Sequence, residues 1–269
     1  MRKLRNLLAA SVLAVSMVFG VTGCQSTSNE KDSSKKESVT LSLAAAASLE
    51  KCFTEKLIPM FEKEHDNVKI EGSYDSSGKL QSQIEQGMGA DVFMSAATEQ
   101  MDNLVKEDDI AEDDVVDLLE NKLVLVVPSK DAKEDITSFE TAVKADTIAV
   151  GDPKSVPAGQ YAEEAFTNLK MWDDVEAKAS FGTNVTEVLN WVAKGSADCG
   201  VVYATDAAST DDVKVVAEAP KDALKTPVIY PVAALKESEN KDVADEFVKF
   251  LQSDEALEVF EDYGFTINQ

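Results

Sequence analysis

Short apolar runs alternate with stretches of helical periodicity along most of this chain. Residues 39–43 are followed by 49–61, 68–74 by 80–88, and 92–95 by 101–105. After 123–127 the order continues as 148–150, 158–169, 185–192, 201–203, 228–234 and 243–251. The helical stretches declare themselves by spacing. Leu49, Cys52, Phe53 and Leu57, and again Val185, Val188, Leu189 and Val192, recur at the three- and four-residue steps of one helix face. Strand and helix in alternation predict an α/β fold, a mainly parallel sheet with helices on its faces. Pro59 is expected to kink or shorten the first helix. No internal repeat is visible, and the roughly 230 residues of this body suit one large domain or two of ordinary size.

The N-terminus has a different composition. Arg2, Lys3 and Arg5 precede an apolar segment over residues 7–19, and Val21-Thr22-Gly23 puts small residues before Cys24. The segment is short for a membrane span of about 20 residues and reads as a cleaved export signal over residues 1–23. Its VTGC ending resembles a lipoprotein lipobox, which makes Cys24 the lipidated first residue of a protein held outside the cytoplasm at the membrane surface. Residues 25–38 carry no apolar side chain and are expected to form a disordered tether.

Residues 1–23 contain three basic and no acidic side chains, so their removal takes the formal charge from −24 to −27. So acidic a body is a poor partner for nucleic acid or an anionic membrane. An anion would have to be held by local, desolvated hydrogen bonds, with the general field screened over about 8 Å. The acidic run at residues 107–117 lacks the Asp-x-Asp-x-Asp-Gly order of a calcium loop and reads as a solvated face. Cys52 and Cys199 fit no metal spacing and are expected to be small buried residues. His65 is expected in an exposed loop, with no Ser or Asp motif nearby to build a catalytic triad.

Residues 147–166, TIAVGDPKSVPAGQYAEEAF, form an apolar run that empties into a Gly/Pro-rich loop and reopens as a helix at Pro157-Ala158-Gly159. Such a turn aims unpaired backbone N–H groups and the positive end of a helix dipole at one point, the geometry of an anion site, although an ordinary strand–helix connection has the same pattern. Other junctions share it: Ser48 after the first strand, Ser76-Ser77-Gly78 after the second, and Thr183-Asn184 before Val185. In open α/β sheets a ligand lies beyond the carboxyl ends of the strands. Ser48, Ser77, Ala158 and Val185 all fall there.

Together these segments resemble the molybdate-binding proteins of ABC-type uptake systems, the ModA family. The resemblance runs from Val39 to Asn268 and is carried by AAASL at 45–49, DSSGKLQSQIEQGMGADVFMSA at 75–96, AVGDPKSVPAGQYAEEA at 149–165, GVVYATDA at 200–207, YPVA at 230–233 and YGFTI at 263–267. It implies the two-lobed type II periplasmic-binding-protein architecture, with one lobe of residues 39–121 plus 228–269, a second of 122–227, and the ligand cleft between them. The chain would cross between lobes near residues 121–122 and 226–230.

The resemblance also implies a ligand set. The hydroxyls of Ser48, Ser77 and Tyr203 and the main-chain N–H groups of Ala158 and Val185 would hold molybdate, or tungstate, with no cofactor and no direct protein–metal bond. Where the family often has three serines in a row, this chain has Gly78 third, which keeps an N–H to offer but has no hydroxyl. The implied role is a monomeric, non-enzymatic binding protein that delivers the oxyanion to an ABC permease subunit.

A tetrahedral dianion accepts hydrogen bonds and donates none, so a site built only of donors satisfies all its oxygens. A protonated anion would bury an unpaired hydrogen at a cost of about 1–3 kcal/mol. Sulfate has the same charge but shorter bonds to oxygen and cannot reach every donor at once. A sulfate-binding protein of the same fold remains as an alternative. An α/β hydrolase would need a nucleophile elbow, and no Gly-x-Ser-x-Gly occurs.

Overall fold

The computed structural model describes residues 38–268. The expected export signal, the expected lipidation site at Cys24 and all but the last residue of the expected tether lie outside them. The body forms one compact unit.

It opens with β1 (Val39–Ala46) and passes into a helical run. A 3₁₀ turn (Ala47–Leu49) leads to α1 (Glu50–Cys52), a π turn (Phe53–Leu57) and α2 (Ile58–Glu64). Pro59 does not break this run. A π turn stands just before it, and Pro59 falls in the first turn of the short α2, where its missing N–H costs least. Then come β2 (Val68–Asp75), α3 (Ser77–Glu85), β3 (Val92–Met94), α4 (Thr98–Lys106) and β4 (Val116–Asn121). Next are β5 (Leu123–Pro128), β6 (Ile148–Gly151), α5 (Pro157–Asn168), α6 (Trp172–Glu176), β7 (Ala179–Gly182), α7 (Val185–Ala193), β8 (Cys199–Tyr203), α8 (Ala204–Ala208) and β9 (Val213–Glu218). The chain ends with β10 (Val228–Ala234), α9 (Lys241–Phe250), α10 (Asp254–Asp262) and β11 (Thr266–Ile267).

The strands form two sheets, a six-stranded one in the order β11-β4-β10-β3-β1-β2 and a five-stranded one in the order β7-β6-β8-β5-β9. Sheet membership changes between Asn121 and Leu123 and changes back between Glu218 and Val228. Both sheets are mixed rather than mainly parallel. β1 runs parallel to β2 and β3, and β6 parallel to β7 and β8, because helical segments carry the chain back between parallel strands. β5 and β10 arrive directly from the other sheet with no crossover helix and lie antiparallel to both their neighbours.

All six residues of β5 and all five of β8 are buried, as continuous apolar runs in a sheet covered on both faces should be. The six-stranded half is closed by an aromatic cluster in which Phe53, Phe61, Phe247 and Phe260 meet at ring separations of 5.0–6.2 Å. Truncating a buried Phe to Ala costs about 3–5 kcal/mol. His65 joins this cluster instead of standing in an exposed loop: its ring stacks on Phe61 at 4.0 Å and its Nε2 lies 3.1 Å from Glu246. Cys52 and Cys199 are buried free thiols. In the acidic run, Glu112–Asp114 forms an exposed turn before the chain enters β4.

Candidate functional site

Five strand ends converge on one point. The turn after β1 brings Ser48, the start of α3 Ser77, the start of α5 Ala158, the start of α7 Val185 and the end of β8 Tyr203, and all five line a single cavity of about 10 Å³. That is room for about one water. Ser48 and Ser77 follow strands of the six-stranded sheet, while Ala158, Val185 and Tyr203 follow or end strands of the five-stranded one.

The main-chain donors come from three helix starts. Ser77 and Val185 are the first residues of α3 and α7, and Ala158 is the second of α5. Residues so placed have no intrahelical acceptor for their N–H, and the helix dipoles add positive partial charge there. The entry to α7 is fixed by Asn184, whose side chain accepts from the Glu187 N–H at 2.9 Å. The entry to α5 depends on two glycines. A Cβ on Gly159 would lie 2.1 Å from the Gly151 carbonyl oxygen, so only glycine lets α5 fold back this tightly on β6.

The hydroxyls are oriented by their neighbours. Ser77 Oγ accepts from the Ala96 N–H at 3.0 Å, which leaves its own proton free. Ser48 Oγ lies 2.9 Å from Tyr230 Oη, which itself accepts from Asn121 Nδ2 at 3.3 Å. Tyr203 donates to the Ala96 carbonyl at 3.3 Å and would turn from it to reach an anion. Burial raises the Tyr203 pKa well above its ordinary value, so the hydroxyl keeps its proton.

Two features differ from the sequence expectation. The Gly78 N–H is not free for a ligand, because it donates to the Ser155 carbonyl at 3.0 Å. Ser76 is an additional hydroxyl on the cavity wall. A serine at a helix N-cap normally spends its oxygen on the helix, and that signal hid it. Here Ser76 makes no capping bond, and its buried Oγ has no hydrogen-bond partner.

No lysine, arginine or histidine lines the cavity. The acidic side chain on its wall, Asp75, is occupied: it accepts from the Ser76 N–H at 2.8 Å and from Asn184 Nδ2 at 3.4 Å, and pairs with the Lys79 ammonium. Larger openings exist. One of about 590 Å³ is bordered by Glu99, Glu163 and Glu164, and one of about 400 Å³ by Lys130, Lys133 and Lys194. The first carries three glutamates against one lysine, Lys225, and in the second Lys133 is already engaged by Asp146 and Asp198 at 2.6 and 2.8 Å. Convergent helix starts and unspent hydroxyls, rather than volume, make the small cavity the candidate site.

Two mixed sheets with hydroxyls and helix-start N–H groups gathered where their strand ends meet are the architecture of an extracytoplasmic solute-binding protein. The chain belongs to the bacterial extracellular solute-binding proteins, whose family model matches residues 41–266. It is 44% identical over 255 residues, covering 95% of this chain and 96% of the other, to a Bacillus subtilis protein provisionally named as the ABC transporter substrate-binding lipoprotein YvgL. It is 39% identical to the molybdate-binding protein ModA of Haemophilus influenzae, over 85% of this chain and 91% of that one. A solved Clostridium difficile structure, the substrate-binding domain of a provisionally named molybdenum ABC transporter, superposes with a TM-score of 0.64 at 38% identity. It covers 86% of this chain and 100% of that one.

Proposed function

We propose that this protein captures molybdate, and tungstate with it, and delivers the ion to the permease of an ABC transporter. The carrying observation is a cavity in which hydroxyls and helix-start N–H groups meet, with no basic residue among the wall residues and with the wall carboxylate, Asp75, already engaged by Ser76, Asn184 and Lys79. Ser48, Ser77 and Tyr203 would give hydroxyls, Ala158 and Val185 their N–H groups, and Ser76 a sixth contact through its unspent hydroxyl. A fully ionised tetrahedral anion satisfies these donors, whereas a protonated one brings a hydrogen with no acceptor. The relatives named for molybdate support the choice of ion. Sulfate, with shorter bonds, is the weaker fit.

The reading includes two lobes, 39–121 with 228–269 and 122–227, that close on the ion by a hinge, and a lipid on Cys24 that keeps a monomeric body at the membrane. Calorimetric titration with molybdate, tungstate, sulfate and phosphate tests the reading. One molybdate per chain, bound far more tightly than sulfate, is expected; equal affinity for sulfate would overturn the choice of ion.

A further inference from the structure

We propose that Gly78 is a positioning residue that sets how closely the two halves of the protein shut on the anion; this rests on the oxyanion-binding reading above. Gly78 is the second residue of α3, which follows β2 of the six-stranded sheet. Ser155 lies in the loop between β6 and α5, on the five-stranded side. Their backbones touch, the Gly78 N–H donating to the Ser155 carbonyl over 3.0 Å. A Cβ on residue 78 would stand 2.5 Å from that oxygen and 2.8 Å from the Ser155 Cα. Ordinary contacts lie at about 3.5–4.0 Å. Both obstacles are backbone atoms, which cannot rotate away as the end of a side chain can, so any side chain here holds the walls apart by roughly 1 Å.

Nothing else at this position calls for glycine. Gly78 is not among the positive-φ residues, and it sits in the first turn of a helix, where alanine is the better helix former. Its use is the close approach. The contact also lies beside the proposed ligands of both walls: Ser77 is the preceding residue on one side, and Ala158 comes three residues after Ser155 on the other. A wedge between 78 and 155 therefore widens the gap between Ser77 and Ala158, and donors on the two walls no longer reach one ion together.

The test compares the wild type with Gly78→Ala and with Gly89→Ala, where an added Cβ meets nothing within 4 Å. Each is titrated calorimetrically with molybdate, tungstate, sulfate and phosphate, melted without anion, and studied by small-angle scattering with and without the ion that binds. Gly78→Ala is expected to weaken the bound anion at least tenfold, to release it faster, to stay more expanded at saturation, and to melt no lower than the wild type without anion. Gly89→Ala should bind as the wild type does. Wild-type affinity in Gly78→Ala would overturn the proposal, as would a lower anion-free melting point, which would show that the fold itself needs this glycine. Selective binding of sulfate or phosphate by the wild type would overturn the molybdate reading and leave the Gly78 comparison in force; failure to bind any of the four would overturn both.

Discussion

Ser48 Oγ and Tyr230 Oη lie 2.9 Å apart, joining the turn after β1 to the strand that returns from the five-stranded sheet. Tyr230 also accepts from Asn121 Nδ2, which donates in turn to Thr205 Oγ1 at 2.9 Å. Either hydroxyl of the Ser48–Tyr230 pair can donate; with Tyr230 as donor, Ser48 keeps its own proton for the cavity. The two junctions between the sheets are thus tied to the proposed site through one chain of hydrogen bonds.

Tyr230→Phe removes that orientation without touching the anion. Molybdate affinity should fall by up to about tenfold, the equivalent of one neutral hydrogen bond. Calorimetry on this variant, beside Ser48→Ala as the full loss, measures it. An unchanged affinity would separate Tyr230 from the site.

Ser77→Ala and Tyr203→Phe each delete a hydroxyl proposed to face the ion. A hydrogen bond to a charged group contributes about 1.5–3 kcal/mol, so each should weaken binding by roughly one to two decades. Their effects on stability should differ. Ser77→Ala also orphans the buried Ala96 N–H, a cost of about 1–3 kcal/mol visible in denaturant melts, whereas Tyr203→Phe gives up one long bond to a carbonyl.

The layout of these groups was legible in the sequence because helix starts announce themselves locally. The VPAG turn, the Ser48 junction and the Asn184 cap are each read from a few consecutive residues. Mixed sheet direction was not legible, since it depends on β5 and β10 arriving from another sheet. The strands β4, β7, β9 and β11 were missed for related reasons: β4 begins inside the acidic run with Asp117 between its apolar residues, β7 and β11 hold only four and two residues, too few for periodicity, and β9 alternates apolar with exposed Lys214. The Gly78 N–H was misread as available, and Ser76 was left out of the ligand set, because an N–H claimed by the opposite wall and a buried hydroxyl without a partner are tertiary facts.

Asp206 gives a pH signature. Its carboxyl is buried at the start of α8, accepts from the Tyr203 N–H at 3.2 Å, and burial pushes its pKa from 3.8 to about 7. The folded state thus binds a proton more tightly than the unfolded one, so the stability this group contributes is full below about pH 4 and lost as pH rises through about 7. Asp206→Asn keeps an acceptor for Tyr203 and carries no charge. Melting temperatures from pH 4 to 8 should show the variant gaining on the wild type as pH rises, and a constant difference would contradict this.

Cys52 and Cys199 should remain free thiols in the native protein. Burial pushes both pKa values up, that of Cys199 to about 12, so neither offers a reactive thiolate. A thiol reagent should label both only after denaturation, and mass spectrometry should find no Cys52–Cys199 peptide without reduction.

The most direct measurement is an anomalous difference map from crystals grown with molybdate, because molybdenum marks its own position. One peak is predicted, enclosed by Ser48 Oγ, Ser77 Oγ, Tyr203 Oη and the N–H groups of Ala158 and Val185, with the oxygens at hydrogen-bond distance. A principal peak elsewhere, such as the opening beside Lys130 and Lys194, would contradict the site.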